Sequence, residues 1–87
     1  MNIQAKKIPI GGEFLNPFSG RHCIRVTYRD EEFVVDKISG LPCIVVYDTV
    51  KHNVHHIMCD NHVDTYDAIP KTPVINNVST LAVQRVY

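Results

Sequence analysis

The period of the apolar residues most constrains what this chain can fold into. From His22 to Ala68 hydrophobic side chains return at every second position, and Gly, Pro, Asp and Asn interrupt them at short intervals. A period of two places alternate side chains on opposite faces of an extended strand, whereas a helix needs a period of about 3.6. No segment carries a convincing helical spacing. The pattern predicts a compact all-β domain of short strands.

Several elements can be placed. Residues 1–11 form a polar lead-in with Lys6 and Lys7, and Glu13 to Leu15 a short strand before the turn Asn16-Pro17-Phe18-Ser19-Gly20. Arg21 to Ile38 suits a β-hairpin bent at Asp30-Glu31. That register sets Tyr28 opposite Phe33 and Val26 opposite Val35, with Arg29 facing Glu32 and Arg25 facing Asp36 across the other side. Leu41 to Val50 is apolar on both faces, as a central or barrel-wall strand would be. Val54 to Cys59 and His62 to Ala68 follow as strands, separated by the turn Asp60-Asn61. Pro70 and Pro73 keep the segment 69–77 out of a sheet centre, and Ser79 to Tyr87 has the β-branched and aromatic content of one more strand. The expected architecture is a small, partly open β-barrel over residues 1–68, SH3-like or OB-like, with five to six short strands. A proline-containing linker and a C-terminal extra strand then occupy 69–87.

Composition narrows the function classes. Nine basic and nine acidic residues cancel, so no bulk field draws the chain to nucleic acid or to an anionic membrane. No apolar run approaches membrane-spanning length. Cys23, Cys43 and Cys59 are odd in number and widely separated, unlike a secreted disulfide framework, and MNIQAKKIPIGGEF lacks the apolar core of a secretory leader. A reducing, cytoplasmic setting is expected.

The candidate chemistries are thin. The run HNVHHIMCDNH packs four histidines and a cysteine into eleven positions, and Cys59-x-x-His62 has the spacing of half a zinc site. His55 and His56, adjacent on a strand, point to opposite faces and cannot share an ion. Cys59, His62 and Asp64 suggest a nucleophile, base and orienter, without a helix N-terminus or strand-to-helix elbow to activate the thiol. Arg21, Arg25 and Arg29 share one parity, which would space them about 13 Å apart along one strand face, as in a groove that tracks phosphates. In the expected register Glu32 and Asp36 neutralise two of these arginines, and Tyr28 and Phe33 lie on the opposite face.

Apolar residues in unsheltered places point elsewhere. Phe18 sits in a Pro/Gly/Ser turn, and Leu81, Val83, Val86 and Tyr87 lie beyond the proline linker. A β-domain with such a terminal strand can lend it to a partner's sheet or accept a strand at its own edge. The sequence therefore predicts a non-enzymatic protein-binding module without cofactor: an accessory, inhibitor or assembly subunit. A homodimer with Leu81, Val83 and Tyr87 buried is expected. Single-strand nucleic-acid binding through Arg21, Arg25 and Arg29 is the first alternative, and a zinc-stabilised domain using Cys59 and His62 is the second.

Overall fold

A computed structural model describes residues 1–65, Ile69 and the main chain of 77–78. The described chain is all-β: β1 (Asn2–Gln4), β2 (Glu13–Asn16), β3 (Arg21–Tyr28), β4 (Phe33–Val35), β5 (Pro42–Asp48), β6 (Asn53–Met58), β7 (His62–Asp64) and β8 (Asn77–Val78). A single 3-10 turn, Ala5–Lys7, follows β1. The strands form one sheet in the order β1-β7-β2-β3-β5, antiparallel throughout, with β4 and β6 also paired to β5. β8 adds a short parallel contact to Thr27 and Tyr28. The sheet is not closed: among the described residues β6 pairs with β5 alone.

β5 is the centre of this arrangement, as its two apolar faces predict. Ile44 and Val46 enter one core with Phe14, Cys23, Ile57, Cys59 and Val63, while Val45 joins Ile24, Val26 and Val54 in a second. Tyr47 packs against that second cluster. A strand buried on both faces gains from each methyl on either side, about 0.8 kcal/mol per buried methylene, so it anchors the sheet.

Two expectations are corrected. Residues 1–11 are not a polar lead-in: β1 pairs with β7, and Ala5 and Ile8 are wholly buried in the first core. The second correction concerns the expected hairpin. β4 does not fold back onto β3; both lie along the same edge of β5, one after the other. Val26 pairs with Val45 and Phe33 with the next residue, Ile44. Residues 27–32 leave the sheet between these two positions. Their excursion is a tight turn in which Tyr28 and Glu31 exchange both main-chain hydrogen bonds at 2.9 Å. Arg29 and Asp30 occupy its centre at φ of 50° and 65°, the left-handed pair that a two-residue primed turn requires. The bend is thus one residue earlier than expected.

This rearrangement takes Arg25 into the interior. The residue is 3% exposed, its Nη1 donates to the carbonyls of Lys6 (3.1 Å) and Ile8 (2.6 Å), and its guanidinium lies 5.2 Å from the centre of the Phe33 ring. Glu32, not Asp36, supplies the nearby carboxylate at 3.7 Å. Burial pushes the guanidinium pKa down, and Glu32 pulls it back up. Main-chain bonds from Gly11 to Arg25 (2.7 Å) and from Arg25 to Gly12 (3.0 Å) fasten the same region. Replacing Arg25 by Met should leave two interior carbonyls without donors and destabilise the fold by about 2–4 kcal/mol. Urea denaturation measures this. An unchanged midpoint would mean that the guanidinium does not hold the 3-10 turn in place.

Candidate functional site: a groove beside β6

The site is built on the far edge of β6. Cys59 N–H donates to the Pro42 carbonyl at 3.0 Å. Hydrogen-bonding direction alternates along an antiparallel strand, so Ile57, His55 and Asn53 also address β5 with their main chain, while the even-numbered positions address the other side, where the Met58 carbonyl accepts the Asn61 N–H at 3.0 Å. A cavity of about 660 Å³ runs along that side. Asn53, His55 and Ile57 from one face of β6 line it together with His56 and Met58 from the other. The cavity therefore straddles the strand's edge and does not lie on a sheet face.

Two turns form its banks. Asn16 closes the first: its Oδ1 accepts the Phe18 N–H at 2.9 Å and its carbonyl accepts the Gly20 N–H at 2.7 Å, with Gly20 at φ 72°. This geometry leaves Phe18 70% exposed on the rim. It also turns the Asn16 Nδ2 toward His55, where it donates to Nε2 at 3.4 Å across the gap between β2 and β6. The second bank is the turn after β4. Asp36 accepts both the N–H and the hydroxyl of Ser39 (2.9 and 2.7 Å), and Gly40 donates to its carbonyl, leaving Ile38 83% exposed. The Ser39 bonds hold the Asp36 carboxyl below its usual range, and His56 Nε2 stands 3.7 Å away.

Beneath the first bank lies Asp48, with no exposed surface. Its Oδ2 takes the Arg21 Nε–H at 2.6 Å, and its Oδ1 takes the N–H groups of Val50 and Lys51 at 2.9 Å. Burial raises its pKa, but these donors outweigh burial and leave the carboxyl below its ordinary value. For the His55 imidazole burial is the leading cause and dominates, so its pKa is lowered and the ring is neutral in the fold.

The predicted site residues distribute unevenly. Phe18 is on the groove. Leu81, Val83, Val86 and Tyr87 lie outside the described residues. The three arginines do not share an exposed face: Arg21 is bound to Asp48, Arg25 is buried, and Arg29 lies in the tight turn with its guanidinium 5.4 Å from the Tyr28 ring centre. Tyr28 and Phe33, expected opposite the arginines, each stack against one. Cys59 is buried in the first core, while His62 is exposed on β7 and bonded to the Asn2 side chain. Among the described residues no group of three or more His, Cys, Asp or Glu side chains is placed to hold a metal ion. Burial raises the pKa of all three thiols, that of Cys23 to about 12 with Asp48 adding to the effect. Sequence reasoning missed Ile38 and His55. Ile38, a bulky apolar residue between Lys37 and Ser39-Gly40, carries the same signal as Phe18 and could have been found by it.

Comparisons with protein-family models, with curated proteins and with solved structures return no match.

The His55 environment has a pH signature. Its folded pKa lies below the unfolded value, so the unfolded chain binds the proton more readily. The stability held by neutral His55 is complete above the unfolded pKa of about 6.5 and declines as pH falls toward the folded one. Replacement by Gln should flatten this part of the profile. Urea midpoints of both proteins between about pH 7.5 and 5 test it, the gap between them narrowing or reversing on acidification. Parallel profiles would contradict the assignment.

Proposed function

We propose that this protein is a non-enzymatic binding module that receives an extended segment of a protein partner in the groove beside β6. The observation that carries this reading is the groove itself, a cavity beside β6 whose rims present Phe18 and Ile38 to solvent. Strand addition takes its affinity from main-chain hydrogen bonds and its selectivity from recesses for alternate side chains. The groove supplies both, with Ile57 and Met58 as apolar floor and Asn16, Asn53 and Asn61 as amides suited to an uncharged main chain.

The rest of the molecule agrees. Three buried thiols with raised pKa values are poor nucleophiles, which favours binding over catalysis. Unpaired cysteines suit a reducing compartment, and we place the protein in the cytoplasm as an accessory, inhibitory or assembly subunit, acting as a homodimer. No helix is long and apolar enough to cross a membrane among the described residues.

Selection of uncharged nonapeptides from a display library against the full-length protein tests the reading. Bound peptides should shift the amide resonances of residues 53–58. Phe18→Ala and Ile38→Ala should each weaken binding about tenfold, or about 1.4 kcal/mol. Being exposed, both should change folding stability by less than about 0.5 kcal/mol. Binding that maps away from β6, or a tight single-strand nucleic-acid complex that weakens steeply with salt, would overturn the proposal.

A further inference from the structure

We infer that the partner segment held beside β6 carries an acidic side chain for Arg21 and, three residues away, a basic one for Asp36; the inference rests on the groove-binding reading above. Besides His55 and His56, these two are the charged side chains of the cavity wall. Each is anchored on one side and keeps hydrogen-bonding capacity on the other. Arg21 gives its Nε–H to Asp48 Oδ2 at 2.6 Å, and its two η nitrogens donate to no described residue. Asp48 has no exposed surface, so the guanidinium and not the carboxylate meets the groove. The planar fork of a guanidinium matches a carboxylate. Asp36 uses its Oδ2 to accept the N–H and hydroxyl of Ser39 at 2.9 and 2.7 Å. Its Oδ1 stands 3.7 Å from His56 Nε2, beyond hydrogen-bond length, and can accept from an incoming cation.

β6 sets the spacing of these two poles. Its first residue, Asn53, pairs with Asp48, which holds Arg21. Three residues on, His56 faces Asp36. Three steps of extended chain cover about 10 Å. The poles also belong to opposite faces of the sheet. Asp48 and Asn53 lie on the face of His55 and Ile57, whereas His56 lies on the other. An extended segment alternates its side chains in the same way, so residues three apart point to opposite sides and reach both poles. Residues two or four apart point to one side and reach a single pole.

The remaining wall suits the rest of such a segment. The Asn53 side-chain oxygen is buried and has no hydrogen-bond partner among the described residues, so it can accept an N–H from the segment. Phe18 stands on the rim of the Arg21 bank and Ile38 on that of the Asp36 bank, giving each charged contact an apolar neighbour. The opposed signs also select the class of partner. Asp36 repels a chain of phosphates and Arg21 a wholly basic peptide, which favours a protein segment of mixed charge over a single-stranded nucleic acid.

The test sets the uncharged nonapeptides above beside a second display library in which every residue is allowed, both selected on the full-length protein. Peptides from the second library should be enriched in an acidic and a basic residue three positions apart and should shift the amide resonances of residues 53–58. In fluorescence titrations at low salt, replacing either charged residue of the peptide by Gln should weaken binding about three- to tenfold, and salt near about 1 M should erase most of that difference. On Asp36→Asn, whose side-chain oxygen can still accept from Ser39, the basic residue should lose its effect and the acidic residue keep it. If a circular dichroism spectrum shows that variant unfolded, the Gln-substituted peptides on the wild type decide alone. No enrichment of the pair overturns the inference, as does equal binding of a peptide whose charges are two or four positions apart. Displacement of the peptide by a single-stranded oligonucleotide, or resonances of residues 53–58 that move with protein concentration alone, also overturns it. If the uncharged nonapeptides still shift those resonances in that event, the groove-binding reading survives without this charge pattern; if no peptide does, both fall.

Discussion

One edge of β5 is shared by two strands in succession, and much of the rest of the molecule follows from that sharing. β3 occupies the positions opposite Val45 to Asp48 and β4 those opposite Pro42 to Ile44. The chain between them must leave the sheet and return to the next register position, which is the work of the turn at Arg29-Asp30. The return brings Glu32 and Phe33 against Arg25 and turns that guanidinium toward the 3-10 turn. It also carries Thr27 and Tyr28 off the edge of β5, where β8 pairs with them. With one edge of β5 filled by β3 and β4, β6 takes the other and is the last strand on that side among the described residues.

Two buried charges stabilise this arrangement from opposite ends. A guanidinium or carboxylate removed from water is tolerated only when its hydrogen-bonding capacity is largely met within the protein. Asp48 meets it with one guanidinium and two main-chain N–H groups, and Arg25 meets most of it with two carbonyls and a carboxylate, its buried Nε finding no partner among the described residues. Asp48 also shapes the tight β5–β6 turn, where His52 sits at φ 58° and donates to the Asp48 carbonyl. The start of β3 and the β5–β6 turn are thereby held to one side chain. The groove inherits its geometry from that connection, since Arg21 and Asn53 both line it.

The fold class and the long strands were readable because alternation speaks most clearly where both parities are constrained. β5 and β6 lie within one or two residues of where the pattern places them, and His55 and His56 take opposite faces as a strand requires. The turn glycines at 20 and 40 are also where the composition puts them. The hairpin register was misread for a physical reason. Two independent patterns, ion pairs and apolar pairs, supported β3 against β4, but neither records that β5 presents a longer apolar edge to both. β1 was hidden because a three-residue strand has too few positions to show a period, and its partner β7 is remote in sequence. Of the groove, Phe18 was readable as an aromatic in a turn. The convergence of Asn16, His55 and Asp36 was not, because it depends on how the sheet curls to bring β2 and the turn after β4 beside β6.

β6 differs from the other outer strands in how it is guarded. Proteins discourage unwanted pairing with short edge strands, lysines, prolines or bulges. β1 and β4 are three residues each, and β1 runs directly into Lys6 and Lys7 while Lys37 follows β4 closely. β6 is six residues of Asn-Val-His-His-Ile-Met, with Lys51 two positions before it and neither lysine nor proline within it. Its main chain is regular enough to pair with β5 at every position from Asn53 to Met58, so no bulge turns its far side away. The banks that flank it do not cover it either, for their most prominent side chains, Phe18 and Ile38, stand out into solvent. Length and regularity thus set β6 apart from β1 and β4, and the two apolar rims beside it give an incoming segment surface to bury.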